Sequence, residues 1–159
     1  MIRACLGSSR FNEYPLVPHS TIRDGTSLST MYRKASSLSP TVLVVRDDSG
    51  YVFGCFATEA WAANGGGGGA KYYGTGETFV FQLVPQMVAY KWARTNSFFM
   101  ASSSGYVASG GGGDSGGAAL YIDGELLRGS SASCETFRSE TLSGRPDFNV
   151  KALELWHIA

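Results

Sequence analysis

The stretch from Thr41 to Phe56 places the tightest limit on what this chain can fold into. Thr41-Val-Leu-Val-Val-Arg46 is an apolar, β-branched run too short for an amphipathic helix. Asp47-Asp-Ser-Gly50 supplies turn residues, and Tyr51-Val-Phe-Gly-Cys-Phe56 returns. Two such runs joined by four residues predict an antiparallel hairpin. The pattern recurs downstream. Phe79 to Leu83 reads as a strand, Pro85 as a turn and Met87 to Trp92 as the return. Ser97 to Ala101 and Gly105 to Ser109 read as shorter strands. Ala119 to Ile122 and Glu125 to Leu127 flank Asp123-Gly124, a tight-turn signal. Phe148 to Ile158 is expected as a long closing strand with Phe148, Val150, Ala152 and Glu154 on one face. A helical period occurs once, where Leu28, Met31, Tyr32 and Ala35 share a face behind Ser27 as N-cap. Pro40 bars its continuation. Many short strands separated by turns predict a mainly β (α+β) fold, a two-sheet antiparallel β-sandwich with one or two flanking helices.

At 159 residues the chain has the length of one domain, and it can bury a core. Its 21 glycines and low charged fraction, 16%, favour strands and tight turns over long helices. Thirteen basic and thirteen acidic residues give no net charge, so nothing attracts nucleic acid in general. Near-zero charge also gives little protection against self-association. The three cysteines, Cys5, Cys55 and Cys134, form no Cys-x-x-Cys pair. A zinc site and a disulfide framework are therefore not expected, and a reducing, cytoplasmic setting is. No apolar stretch is long enough for a signal peptide at the start or a membrane span elsewhere. No lipidation motif is present, so a membrane link would run through a partner. Residues 1 to about 14 show no clear period, and residues 1–21 are read as an N-terminal segment, a tail or truncated start, ahead of a domain spanning 22–159.

The glycine-rich loops carry motifs that need sorting. Gly113-Asp-Ser-Gly-Gly117 spells a serine-protease nucleophile motif, but His19 and His157 are the only histidines and neither has the expected context. Gly111-x-Gly-x-x-Gly116 matches a dinucleotide fingerprint, yet a strand rather than a helix is expected after it, which removes the helix N-terminus a pyrophosphate needs. Gly65 to Gly69 is a flexible connector by composition, and Lys71 beyond it lacks the phosphate-loop pattern. No constellation of residues stands out that would run a reaction, and no cofactor is expected.

Lys71-Tyr-Tyr-Gly-Thr-Gly-Glu-Thr-Phe79 is unlike a simple connector. Gly74 and Gly76 suggest backbone angles or close approaches that a Cβ forbids. With the pieces around it, this run resembles the TLDc domain of the oxidation-resistance protein family. Those pieces come in the family's order: Ser27-Leu-Ser-Thr-Met-Tyr-Arg-Lys34, Val52-Phe-Gly-Cys-Phe56, Tyr90-Lys-Trp92, Gly110 to Gly113, Gly129-Ser-Ser131, Cys134-Glu-Thr-Phe137 and Leu153-Glu-Leu-Trp156. The resemblance covers about Ile22 to Trp156. It implies a β-sandwich with flanking helices and a role in protection against oxidative stress. It further implies contact with subunits of the vacuolar proton-pumping ATPase, regulating that pump by protein–protein contact, at vacuolar or endolysosomal membranes reached through the partner and without insertion.

Gly74, Gly76, Glu77, Gly129 and Glu135 are accordingly the candidates for binding a partner or ordering the loops. An acid in a glycine-flanked turn can accept backbone N–H groups and lock it, so Glu77 and Glu135 have a structural reading beside the binding one. Cys134, in a small polar loop, is the redox candidate, although Glu135 beside it disfavours a thiolate. Trp61, Trp92 and Trp156 are expected as core or rim anchors. Three functions remain open: a non-catalytic contact domain, a peroxide-reactive thiol module using Cys134, and an adaptor domain within a larger assembly.

Overall fold

The computed structural model describes residues 16–63, 72–112 and 116–158. Two short helices and ten strands follow one another: β1 (Leu16–Ser20), α1 (Thr21–Asp24), α2 (Leu28–Lys34), β2 (Thr41–Asp47), β3 (Val52–Ala57), β4 (Phe79–Val84), β5 (Val88–Tyr90), β6 (Ala101–Ser102), β7 (Tyr106–Ser109), β8 (Leu120–Asp123), β9 (Arg128–Ser130) and β10 (Asp147–His157). Among the described residues no helix is long and apolar enough to cross a membrane.

The first hairpin forms as its sequence dictates. β2 and β3 pair from Thr41–Ala57 to Arg46–Val52, and the Asp47 carboxylate closes the turn by accepting the Ser49 and Tyr51 amides at 2.9 and 3.0 Å. α2 starts where expected, with the Ser27 hydroxyl accepting the Thr30 amide at 3.4 Å. Leu28, Met31 and Ala35 are buried, and the Tyr32 hydroxyl donates to the Ser103 carbonyl at 2.6 Å.

All strand pairing is antiparallel, and the sheet path runs β5-β4-β3-β2-β10-β9-β8-β7-β6 with β1 added on β10. The fold is thus mainly β with two helices, built on one ten-stranded sheet in which β10 serves both halves. Its Asp147–Asn149 segment pairs with β9, while Val150 to His157 pair with β2. Leu43, Val45, Phe53, Cys55 and Val80 from one half share a single core with Val107, Leu120, Ile122 and Phe148 from the other, closed by Leu28 and Met31. Phe53 meets Phe148 edge-on at 5.0 Å. The opposite face of the β2–β4 half carries a second apolar cluster of Val44, Val52, Phe81 and Trp156.

Three local expectations are corrected. Val150 pairs with Asp47 and Ala152 with Arg46, which leaves Lys151 as a bulge. The bulge flips the phase, so Phe148 and Val150 share the core with Leu153 and Leu155, whereas Trp156 joins the opposite cluster. The Asp123-Gly124 turn is wider than a two-residue hairpin. Its return strand is Arg128–Ser130, not Glu125 to Leu127, because the Asp123 carboxylate accepts the Leu127 amide at 3.1 Å and Leu126 turns inward at φ 55°. Only Ala101 of Ser97 to Ala101 is in a strand. In the N-terminal segment Leu16–Ser20 form β1 on the sheet, and α1 (Thr21–Asp24) runs across the expected boundary at residue 22.

Candidate functional site

The Tyr73-to-Phe79 motif gains its shape from contact with the segment after β5. A Cβ on Gly76 would lie 2.3 Å from Cε3 of Trp92, so only glycine lets the indole lie flat on this backbone. Trp92 is held on its other sides. Its Nε1 donates to the Asn96 carbonyl at 2.8 Å, and it meets Phe99 edge-on at 5.2 Å. The Arg94 guanidinium stands 5.0 Å from its ring centre, in cation–π range. Gly74, at φ +97°, sits against Met100, and Tyr73 exchanges two backbone hydrogen bonds with that methionine at 2.9 and 3.0 Å.

Asn96 and Thr136 knit this unit to two further loops. The Thr136 hydroxyl donates to Asn96 Oδ1 at 2.6 Å and accepts the Gly111 amide at 3.0 Å. The Glu135 amide donates to the Gly111 carbonyl at 3.1 Å, and the Thr95 hydroxyl donates to the Glu135 carbonyl at 3.0 Å. The Ala93 amide donates to the Thr136 carbonyl at 2.8 Å, and the Gly110 amide to that of Phe98 at 3.0 Å. Gly111 lies under the pair Tyr72 and Phe98, whose rings stack at 4.4 Å, and a Cβ there would stand 3.2 Å from Phe98. These are two of the most exposed aromatics, 39% and 36% accessible. A groove of about 330 Å³ runs beside them, lined by Tyr72, Tyr106, Ala108, Gly110, Ala118 and Tyr121.

Loops distant in sequence, 72–78, 92–98, 110–112 and 134–138, thus converge on one hydrogen-bonded surface. It presents stacked aromatics, the exposed Arg94 and Arg138, and the exposed Glu77 and Glu135. Such a surface is chemically suited to macromolecular contact: flat aromatics supply area, and charges surround them.

The candidate residues divide. Gly74, Gly76, Glu77 and Glu135 belong to this surface, whereas Gly129 lies in β9, where the Phe148 ring covers it at 2.6 Å from a would-be Cβ. The carboxylates of Glu77 and Glu135 make no hydrogen bond to another described residue. Threonines order the turn instead: the Thr75 amide donates to the Thr58 hydroxyl at 3.0 Å and the Thr78 amide to the Thr75 carbonyl at 3.0 Å. Cys134 is not exposed. It is 5% accessible, its Sγ lies 3.3 Å from the Ser139 hydroxyl, and Gly110 lies against it so closely that a Cβ there would stand 2.9 Å from Sγ. Cys55 is fully buried, and burial pushes its thiol up to about 12. Trp61 is buried, and the Trp156 indole donates to Glu154 at 2.9 Å. Cys5, Gly65 to Gly69, Lys71 and the Gly113-Asp-Ser115 part of the protease-like motif lie outside the described residues.

Sequence reasoning missed Asn96, Thr136 and Thr58. Nothing in a sequence marks a threonine whose partners stand 25 and 40 positions away. The nearest signal was the place of Thr136 between Glu135 and Phe137 in a motif already singled out.

Comparison with known proteins bears on the whole chain. The family model described as the TLDc domain matches residues 1–159. Oxidation resistance protein 1 of Rattus norvegicus is 42% identical over 139 residues, 87% of this chain and 16% of the relative. Nuclear receptor coactivator 7 of Homo sapiens is 40% identical over 150 residues, 93% of this chain and 15% of the relative. The chain therefore spans about one sixth of the length of these relatives. With motifs, fold and extent of match in agreement, the chain belongs to the TLDc domain family.

Proposed function

We propose that this domain works by protein contact, without catalysing a reaction, in protection against oxidative stress, and that its partner is the vacuolar proton-pumping ATPase, whose assembly or activity it regulates. The reading places it in the cytoplasm, peripheral to vacuolar or endolysosomal membranes through that partner. The observation that carries it is the convergence of four loops on one hydrogen-bonded surface that presents the stacked, exposed Tyr72 and Phe98. Stacked aromatics on a fixed frame lose little entropy when they bind, which makes them contact hot spots. Burial of Cys134 weighs against the thiol alternative, since a peroxide must reach the sulfur. The similarity to Oxidation resistance protein 1 supports the oxidative-stress context.

The test uses cells lacking the protein, with peroxide survival and co-precipitation of the proton pump as paired readouts. Phe98→Ala removes half of the aromatic stack and is expected to weaken pump binding by roughly five- to tenfold and to reduce rescue. Glu77→Ala should impair both to a smaller degree, and Cys134→Ser should leave both intact. Loss of rescue in Cys134→Ser with pump binding unchanged would transfer the function to the thiol. Should Phe98→Ala and Glu77→Ala both behave as wild type in both readouts, the adaptor alternative takes its place.

A further inference from the structure

His19 is fully buried on β1, and neither of its ring nitrogens makes a hydrogen bond of good geometry among the described residues, the Gly25 backbone giving it only a weak polar contact. A neutral imidazole carries one donor and one acceptor, and buried polar atoms are normally satisfied. The segment around it is fastened along one edge, where the Thr21 hydroxyl also accepts the Leu153 amide of β10 at 3.0 Å. β1 pairs with one strand, β10, through Leu16–His157, His19–Leu155 and Ser20–Glu154, with an irregularity between the first two pairs. Asp24 at the end of α1 is the clasp. Its carboxylate accepts the Ser20 amide at 2.9 Å and pairs with Arg23 at 2.6 Å and Lys34 of α2 at 3.0 Å. Arg23 in turn donates to the Val17 carbonyl at 2.7 Å.

We propose that β1 and α1 form an acid-released strap: proton uptake by His19 opens residues 17–24 from the sheet and leaves Glu154 to His157 of β10 as an unpaired strand edge. In the closed state burial opposes the imidazolium and lowers the His19 pKa below its ordinary value. Asp24 and the Gly25 carbonyl favour the cation, while Lys34 and Arg23 oppose it. The residue opposite on β10 is Leu155, which offers no charge. Its neighbours are otherwise engaged: Glu154 accepts the Trp156 indole, and the His157 ring lies 3.4 Å from the Ser39 carbonyl. Asp24 is held well below the usual carboxylate range by the Arg23 hydrogen bond, so the clasp itself stays ionised in mild acid. The sign follows. A histidine neutral when closed and free to protonate when open favours the open state as pH falls below about 6.5.

Hydrogen exchange of the full chain tests this. Between pH 7.5 and 5.5, with intrinsic exchange rates divided out, protection of the amides in 17–24 is expected to fall by up to roughly tenfold. Protection of Tyr106–Ser109 and Leu120–Asp123 should not change. His19→Leu should abolish the fall, since it fills the site without a titrating group. A wild-type fall that is absent, uniform over all strands or retained in His19→Leu would overturn the strap. If His19→Leu does not fold, the ring titration of His19 followed by NMR in the wild-type chain decides: a midpoint well below 6.5 upholds the proposal, and one at or above 6.5 refutes it.

Discussion

Gly76→Ala tests whether the loop surface is a packed unit. The new methyl would stand 2.3, 2.6 and 3.1 Å from Cε3, Cζ3 and Cδ2 of Trp92. Carbon atoms rest at about 3.5–4.0 Å, so the indole must retreat by roughly 1.2 Å or more. Three contacts resist that movement: the Nε1 bond to the Asn96 carbonyl, the edge contact with Phe99 and the Arg94 guanidinium on the ring. Overpacking of this kind costs about 1–3 kcal/mol, and the strained indole hydrogen bond adds about 1 kcal/mol. The expected total is about 2–4 kcal/mol, read as a lower urea midpoint at unchanged slope. In a Trp92→Leu background the smaller side chain leaves room, and the same substitution should cost about 1 kcal/mol or less. An effect below about 0.5 kcal/mol in the wild-type background, or an equal effect in both backgrounds, would refute the packing argument.

Three further outcomes can be checked by denaturation. Thr136→Val removes the hydroxyl that joins Asn96 Oδ1 to the Gly111 amide; Asn96 Oδ1 keeps the Phe98 amide at 3.1 Å, and with the Gly111 amide left unpaired the expected loss is about 1–3 kcal/mol. Cys55 has its thiol raised to about 12 by burial, from an ordinary 9.0, so its share of stability is level below pH 9 and falls as pH rises toward 12. Cys55→Ala should therefore lose about 1 kcal/mol less than wild type between pH 8 and 10. Asp48 is held at about 2 by hydrogen bonds from Asn149 and Arg145, so it stabilises above its ordinary 3.8 and that share is lost as pH falls through about 2; Asp48→Asn should flatten the acid limb of the stability curve.

The elements legible in the sequence were those whose signal is local. The β2–β3 hairpin announces itself by two apolar runs and an Asp-rich turn, and α2 by a 3.6 period behind Ser27. β10 was legible as a strand, but its bulge at Lys151 was not, because the extra residue is defined by the register of β2 and not by anything in β10 alone. β1 was missed because Leu16–Ser20 is short, contains Pro18, and becomes a strand only on the β10 edge. At the candidate site the glycines were readable as places of close approach. Which side chain approaches was not: Trp92 lies 16 positions from Gly76 and Phe98 lies 13 from Gly111. Glu77 drew notice as an acid beside glycine and Glu135 as one beside Cys134, yet hydroxyls order these loops. A carboxylate is conspicuous in a sequence, whereas a buried threonine is not.

The position of β10 in the chain bears on how the protein is made. β2 to β5 form one meander and β6 to β9 another, each from neighbouring segments that can pair as soon as they leave the ribosome. The strand that unites them follows all nine others in the sequence. Until it emerges, the two meanders have no shared partner, and Leu43, Val45, Leu120 and Ile122 await a common interior. Non-local pairing of this kind is slow, and apolar faces held open meanwhile invite aggregation. A nascent chain arrested before Asp147 would therefore present two separate half-sheets to the chaperones of the cell, and the final eleven-residue strand acts as the commitment step that turns them into one domain.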